Sequence, residues 1–150
     1  MASIWQALQI CGAHRLGHAT QLVDDMTLMD GKILKLGPLA QYILDRRIPL
    51  EMCLSSNVHT GSVPSLREHP FKMYFDRGFR VTLNTDDRLM SDTTMTKEFA
   101  LAMESFGLTL DNLEKLTLNA IKSAFLPFDE RLRLIYDVIK PGYERARAAV

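Results

Sequence analysis

Apolar and polar positions along this chain follow two periods, one helical and one extended. Ile4, Ala7, Leu8 and Cys11 recur at helical spacing between Ser3, a candidate cap, and Gly12, a candidate stop. Pro38 suits the first turn of a helix whose stripe is Leu39, Ile43 and Leu44. Phe71 to Asp76 predicts another, ending at Gly78. Thr96 to Phe106 places Phe99, Ala102, Met103 and Phe106 on one face before Gly107, and Thr109 opens a segment with Leu113, Leu116, Leu118, Ala120 and Ile121 on its apolar side. A last helix is expected from Phe128 to Lys140, ending before Pro141-Gly142. Asp24 to Asp30, polar at its ends, reads as a loop with a short helical turn, and Gly61-Ser62-Val63-Pro64 as a loop.

Between these lie three short apolar runs, each ending in polar or ionisable residues. Ala13 to His18 breaks at Gly17 and presents His18; Pro49 to Leu54 ends in Ser55-Ser56-Asn57-Val58-His59; Arg80-Val81-Thr82-Leu83 ends in Asn84-Thr85-Asp86-Asp87. Asn and Asp are poor strand formers, so their clustering marks strand ends. The material between runs is long enough for crossover helices, which predicts a parallel sheet with right-handed crossovers. In such sheets ligands bind at the C-terminal strand ends. Asn84 to Asp87 also suits a turn followed by a helix cap, and residue types alone leave both roles open.

Size and charge narrow the classes. The chain has 150 residues, 47% hydrophobic and 24% charged, which suits a single globular domain spanning residues 1–150. It is short of the roughly 250 residues of a closed eight-stranded barrel. Eighteen basic side chains balance eighteen acidic ones, so no positive field favours a nucleic acid or an anionic membrane, and neither is expected as a partner. No run approaches the roughly 20 apolar residues of a membrane span, and the N-terminus lacks the pattern of a signal peptide, so the cytoplasm is the expected compartment. Cys11 and Cys53 read as two reduced core thiols.

Four stretches together carry a family resemblance: Arg15-Leu16-Gly17-His18, Leu50-Glu51-Met52-Cys53-Leu54-Ser55-Ser56-Asn57, Leu83-Asn84-Thr85-Asp86-Asp87, and Asn119-Ala120-Ile121-Lys122-Ser123-Ala124-Phe125-Leu126-Pro127. In this order they resemble the C-terminal portion of an adenosine deaminase. The resemblance implies part of a zinc-dependent (β/α)8 barrel, equivalent to strands six to eight with flanking helices and a helical C-terminal region. It implies that Asp86 is a zinc ligand, that Asp87 accepts a hydrogen bond from the purine ring, and that His18 stabilises or orients the attacking water without ligating the metal. The family's His-x-His pair, its further metal histidine and its proton-shuttling glutamate are expected upstream of Met1, so this chain carries one family zinc ligand. Ala19 and Arg88 stand where the family is expected to have Gly and Pro.

Other zinc chemistries fit less well. His14 and His18 have the i, i+4 spacing of a zinc-protease helix, but the residue after His14 is Arg15 rather than Glu, and Gly17 weakens the helix that spacing needs. A cytidine-deaminase site needs a Cys-x-x-Cys pair, which the sequence lacks. His59 and His69 read as loop residues.

The resemblance therefore implies hydrolytic deamination of adenosine, or a close purine nucleoside, to inosine and ammonia. The alternative is a non-catalytic remnant or an assembly piece that needs an N-terminal half in trans. Three strands of a barrel leave two edges, and Leu16, Leu50, Met52, Val81 and Leu83 are expected to lack partners on the missing side. Self-association, or association with a missing half, follows.

Overall fold

The three apolar runs pair side by side as parallel strands. In chain order the computed structural model, which describes residues 2–149, contains α1 (Ala2–Gln9), β1 (Leu16–Gly17), a 3₁₀ turn (Thr20–Asp25), β2 (Met26–Met29) and β3 (Lys32–Leu36). These lead to α2 (Pro38–Asp45), β4 (Leu50–Met52), α3 (Leu54–His59), a second 3₁₀ turn (Leu66–Glu68), α4 (Phe71–Arg77) and β5 (Val81–Leu83). The remainder is helical: α5 (Met95–Phe106), α6 (Leu110–Ser123), α7 (Phe128–Arg133), a π-helical stretch (Leu134–Ile139) and α8 (Lys140–Ala148). The parallel sheet runs β1-β4-β5, with Leu16 beside Leu50 and Leu50 beside Val81.

The helices cover the sheet more completely than a count of strands suggests. Leu16, Leu50, Met52, Val81 and Leu83 are all buried, against the expectation that they would lack partners. Ile43 of α2, Leu54 of α3, Phe71 and Tyr74 of α4, Ala102 of α5 and Leu116 of α6 join them in one core. Asn119 on α6, within the last of the four family-like stretches, donates its Nδ2–H to the Val81 carbonyl at 2.9 Å and satisfies a backbone acceptor of β5. Arg15 binds Glu51 at 2.8 Å and donates to the Ser123 carbonyl, tying β1, β4 and the end of α6 together below the sheet.

Several local expectations need correction. The segment expected to be a loop, Asp24 to Asp30, enters an antiparallel hairpin in which Met26 opposes Leu36 and Met29 opposes Lys32. Asp30-Gly31 closes it with both residues at positive φ, the chemistry that two-residue hairpins demand. Gly37 is dictated by space, because a Cβ there would overlap Asp25, whose Oδ2 accepts from Ala40 N at 2.7 Å and caps α2. The polar tail Ser55 to His59 is helical, so His59 ends α3 rather than lying in a loop. The last helix does not stop before Pro141. The π-helical stretch changes the hydrogen-bond register, Pro141 falls in the first turn of α8 where its missing N–H is tolerated, and the chain stays helical to Ala148. Cys53 is buried as expected, whereas Cys11 is exposed just beyond α1. Among the described residues, no helix is long and apolar enough to cross a membrane.

Candidate functional site

The C-terminal ends of β1, β4 and β5 bring His18, Cys53 and Asp86 together. One donor atom from each lies within 4.8 Å of the others. His18 follows β1 directly and Asp86 lies three residues beyond β5, both in the left-handed backbone region with φ of 62° and 57°. Ala19 is left-handed too, at 51°. Side chains with a Cβ resist this region, and such strain tends to persist where the surrounding structure holds functional groups in place. Ala19 stands where glycine was expected, and at this φ it keeps the turn at a backbone cost.

The loop after β1 is held from beneath. Tyr74 of α4 is fully buried and donates its hydroxyl to the Thr20 carbonyl at 3.0 Å, with the Ala19 carbonyl at 3.4 Å. Burial pushes its phenol well above the usual range, so it stays a donor. His18 Nε2 then stands 3.6 Å from Asp86 Oδ2.

Asp86 is oriented by α3. Ser56 donates its hydroxyl to Asp86 Oδ2 at 2.6 Å, a charge-assisted bond that leaves the other carboxylate oxygen available. Cys53 lies deeper. Burial, then the carboxylates of Asp86, Glu98 and Glu51, push its thiol up to about 12, so it is S–H at neutral pH and faces the Glu51 carbonyl at 3.8 Å. Fully buried Glu98 of α5 accepts from Thr93 Oγ1 at 2.7 Å and from Ser55 N at 3.3 Å, pinning the loop after β5 onto the start of α3.

Asp87 points elsewhere. Its Oδ1 accepts from Leu89 N and Met90 N, both at 3.0 Å, so it caps the turn that follows, and only Oδ2 is left for another partner. The turn-and-cap role that residue type allowed is thus present at Asp87, while Asp86 faces the cluster.

Three polar residues behind His18 carry more of the site than their sequence context suggests. Asn57 lies 2.9 Å from His18 Nδ1 through its Nδ2, and its Oδ1 is 3.1 Å from His69 Nε2. His69, expected in a loop, is only 4% exposed and packs edge-on against Phe71 and Phe106. Burial lowers its pKa from 6.5 to about 4, so it is neutral near pH 7. Ser56 and Asn57 follow an apolar run and close the second of the four family-like stretches, the two signals that could have found them. For His69 there was none beyond a histidine before a proline.

The donor chemistry suits a zinc ion. A carboxylate oxygen is a zinc ligand, and the Asp86 carboxylate is partly exposed and held in place by the Ser56 hydroxyl, as ligating carboxylates are held by neighbouring hydrogen bonds. Cys53 is a poorer donor than Asp86, because its thiol must first lose a tightly held proton.

Residues 1–141 match the model of the family described as adenosine deaminase. The chain is 53% identical over 148 residues to Adenosine deaminase 1 of Streptomyces coelicolor, covering 99% of this chain and 37% of that protein. It is 54% identical over 143 residues to an adenosine deaminase of Mycobacterium sp. (strain JLS), covering 95% of this chain and 40% of that protein. The chain thus spans about two fifths of the curated relatives it matches. Among solved structures it superposes on an adenine deaminase from Arthrobacter aurescens with a TM-score of 0.84 at 21% identity, over 95% of this chain and 40% of that one. An amidohydrolase from Burkhoderia ambifaria with bound Zn gives 0.80 at 18% identity, over 99% and 38%. At these identities the two superpositions speak for the fold.

Proposed function

The chain belongs to the adenosine deaminase family, and on that premise we propose that it forms the C-terminal part of a zinc-dependent site for hydrolytic deamination of adenosine or a close purine relative. Its strands β1, β4 and β5 then correspond to strands six, seven and eight of a (β/α)8 barrel, with residues 1–150 forming one domain. The observation that carries the proposal is the convergence of His18 and Asp86 at the C-terminal strand ends, with Asp86 held by Ser56.

Zinc, when bound, supplies the Lewis acidity that brings a water's pKa toward neutrality. This chain's own residues do the rest of what is assigned to it. Asp86 would hold the metal, with Ser56 keeping its carboxylate turned toward the cluster. His18 Nε2 stands beside that carboxylate, where it can donate to the attacking water and stabilise the charge that develops on it. Asp87 Oδ2, the oxygen its turn does not use, would accept a hydrogen bond from the purine ring and fix the base against the attacking side. The product of adenosine is inosine, with ammonia as the leaving group. The remaining ligands and the proton shuttle are assigned to sequence outside these residues. The alternative class is a non-catalytic remnant or an assembly piece, which a stoichiometric zinc load and turnover would exclude.

The test is a chimera in which this chain replaces the matching segment of the Streptomyces coelicolor relative. We expect it to bind zinc and to convert adenosine to inosine, followed by ultraviolet absorbance. Asp86→Ala is expected to lose both zinc and turnover, Asp87→Ala to keep zinc and lose turnover, and His18→Ala to keep most zinc with kcat lowered roughly 10²-fold or more. A folded, zinc-loaded chimera that leaves adenosine unchanged would overturn the proposal. The isolated chain, with a single family ligand, is expected to show no measurable turnover.

A further inference from the structure

Two backbone N–H groups determine the direction of every hydrogen bond behind His18. Phe71 N–H can only donate, and it lies 3.1 Å from His69 Nδ1. That nitrogen must therefore be the acceptor, which places the single proton of the neutral ring on Nε2. His69 Nε2–H points at Asn57 Oδ1, 3.1 Å away. Cys53 N–H, the second obligatory donor, points at the same oxygen from 3.4 Å. With two donors facing it, that end of the amide is the oxygen, and the other end is NH₂. Asn57 Nδ2 then donates to His18 Nδ1 at 2.9 Å.

From this geometry we propose that His69 and Asn57 are positioning residues that lock His18 in the tautomer with its proton on Nε2, aimed at the Asp86 cluster. A ring nitrogen that carries its proton has no lone pair to offer a metal. The relay therefore makes His18 a hydrogen-bond donor rather than a ligand through Nε2, although its position beside Asp86 and Cys53 would by distance allow either. Burial supports the lock: Asn57 is fully buried and His69 nearly so, so water does not compete for the bond between them. Burial also keeps His69 uncharged, which preserves Nδ1 as the acceptor for Phe71. The value of this donor to deamination rests on the function proposed above, but the tautomer itself does not.

The test is a long-range ¹H–¹⁵N correlation spectrum of the histidine rings in the ¹⁵N-labelled 150-residue chain, recorded in alkaline solution. Ring nitrogens with and without a proton resonate far apart, so each tautomer is read directly. We expect His18 and His69 both to carry the proton on Nε2. Asn57→Asp replaces the amide donor with a carboxylate that can only accept, and is expected to move the His18 proton to Nδ1 while His69 keeps its own on Nε2. His69→Leu removes the nearer of the two donors that orient the amide, leaving Cys53 N–H at 3.4 Å, and is expected to leave His18 as a mixture. His69→Gln restores a donor toward Asn57 and is expected to return His18 to the Nε2–H form, a rescue that packing alone would not produce. A wild-type spectrum with the His18 proton on Nδ1, or an Asn57→Asp chain that folds and leaves His18 unchanged, would overturn the proposal. The wild-type spectrum decides even if a variant fails to fold. An intact relay in a chain whose chimera leaves adenosine unchanged would retire the deaminase assignment and keep the tautomer lock.

Discussion

Acidification from about pH 7.5 to pH 5 is expected to weaken the fold by about 2 kcal/mol through His69 alone. The unfolded chain carries this histidine at its ordinary pKa of 6.5, whereas burial lowers it to about 4 in the fold. Below 6.5 the unfolded state therefore takes up a proton first and is favoured. His69's contribution is fully present above 6.5, is lost as the pH falls from there toward about 4, and changes no further below that. At about 1.36 kcal/mol per pH unit the whole interval amounts to about 3 kcal/mol. Protonation would also remove the acceptor that Phe71 N–H uses at 3.1 Å. The perturbation is His69→Gln, whose amide keeps a donor for Asn57 and does not titrate. Urea unfolding followed by far-ultraviolet circular dichroism, at low protein concentration, gives the midpoints at both pH values. With an m-value of about 2 kcal/mol per molar urea, the wild-type midpoint should fall by about 1 M more than that of the variant. Equal falls in the two proteins would refute the assignment of His69 as the buried, uncharged histidine.

Three further outcomes test the packing and the surface. Met52→Ala in the central strand β4 removes a fully buried side chain and is expected to cost about 3 kcal/mol, read as a lowered urea midpoint with the m-value unchanged. A thiol reagent at mildly alkaline pH should modify one cysteine per folded chain, the exposed Cys11. Cys53, buried and pushed up to about 12, should react only on unfolding, so the Cys11→Ser chain is expected to be inert until urea is added. Sedimentation velocity is expected to find concentration-dependent oligomers, because Ile10, Phe125 and Phe128 expose large apolar surfaces outside the core, and a monomer at every concentration would contradict this.

The sequence by itself determined the elements whose cause is local. Leu39 and Ile43 announce α2, Thr109 with Asn112 caps α6 reciprocally, and the apolar runs ending in His18, Ser55 and Asp86 mark the three parallel strands, because helical and extended periods are written in consecutive residues. The Asp30-Gly31 pair has the chemistry of a hairpin turn, but the polar ends of its segment read as a loop, and only the pairing of Met26–Met29 with Lys32–Leu36 corrected that. Placement of His18 and Asp86 at one sheet edge was legible through the parallel order. What only the tertiary structure decided has no period. His69 reaches Asn57 across 12 positions and Asn57 reaches His18 across 39, so neither bond leaves a local trace, and a histidine beside a proline looks like loop until Phe71 and Phe106 enclose it. Asp87 and Pro141 differ from these, because their causes are local: residue type allowed Asp87 the turn whose Leu89 N and Met90 N it binds, while the folded helix decided that Pro141 is kept by widening the turn before it. Burial and direction depend on elements that meet only when the chain has folded, and those two quantities separate a hydrogen-bonded positioning residue from a surface one.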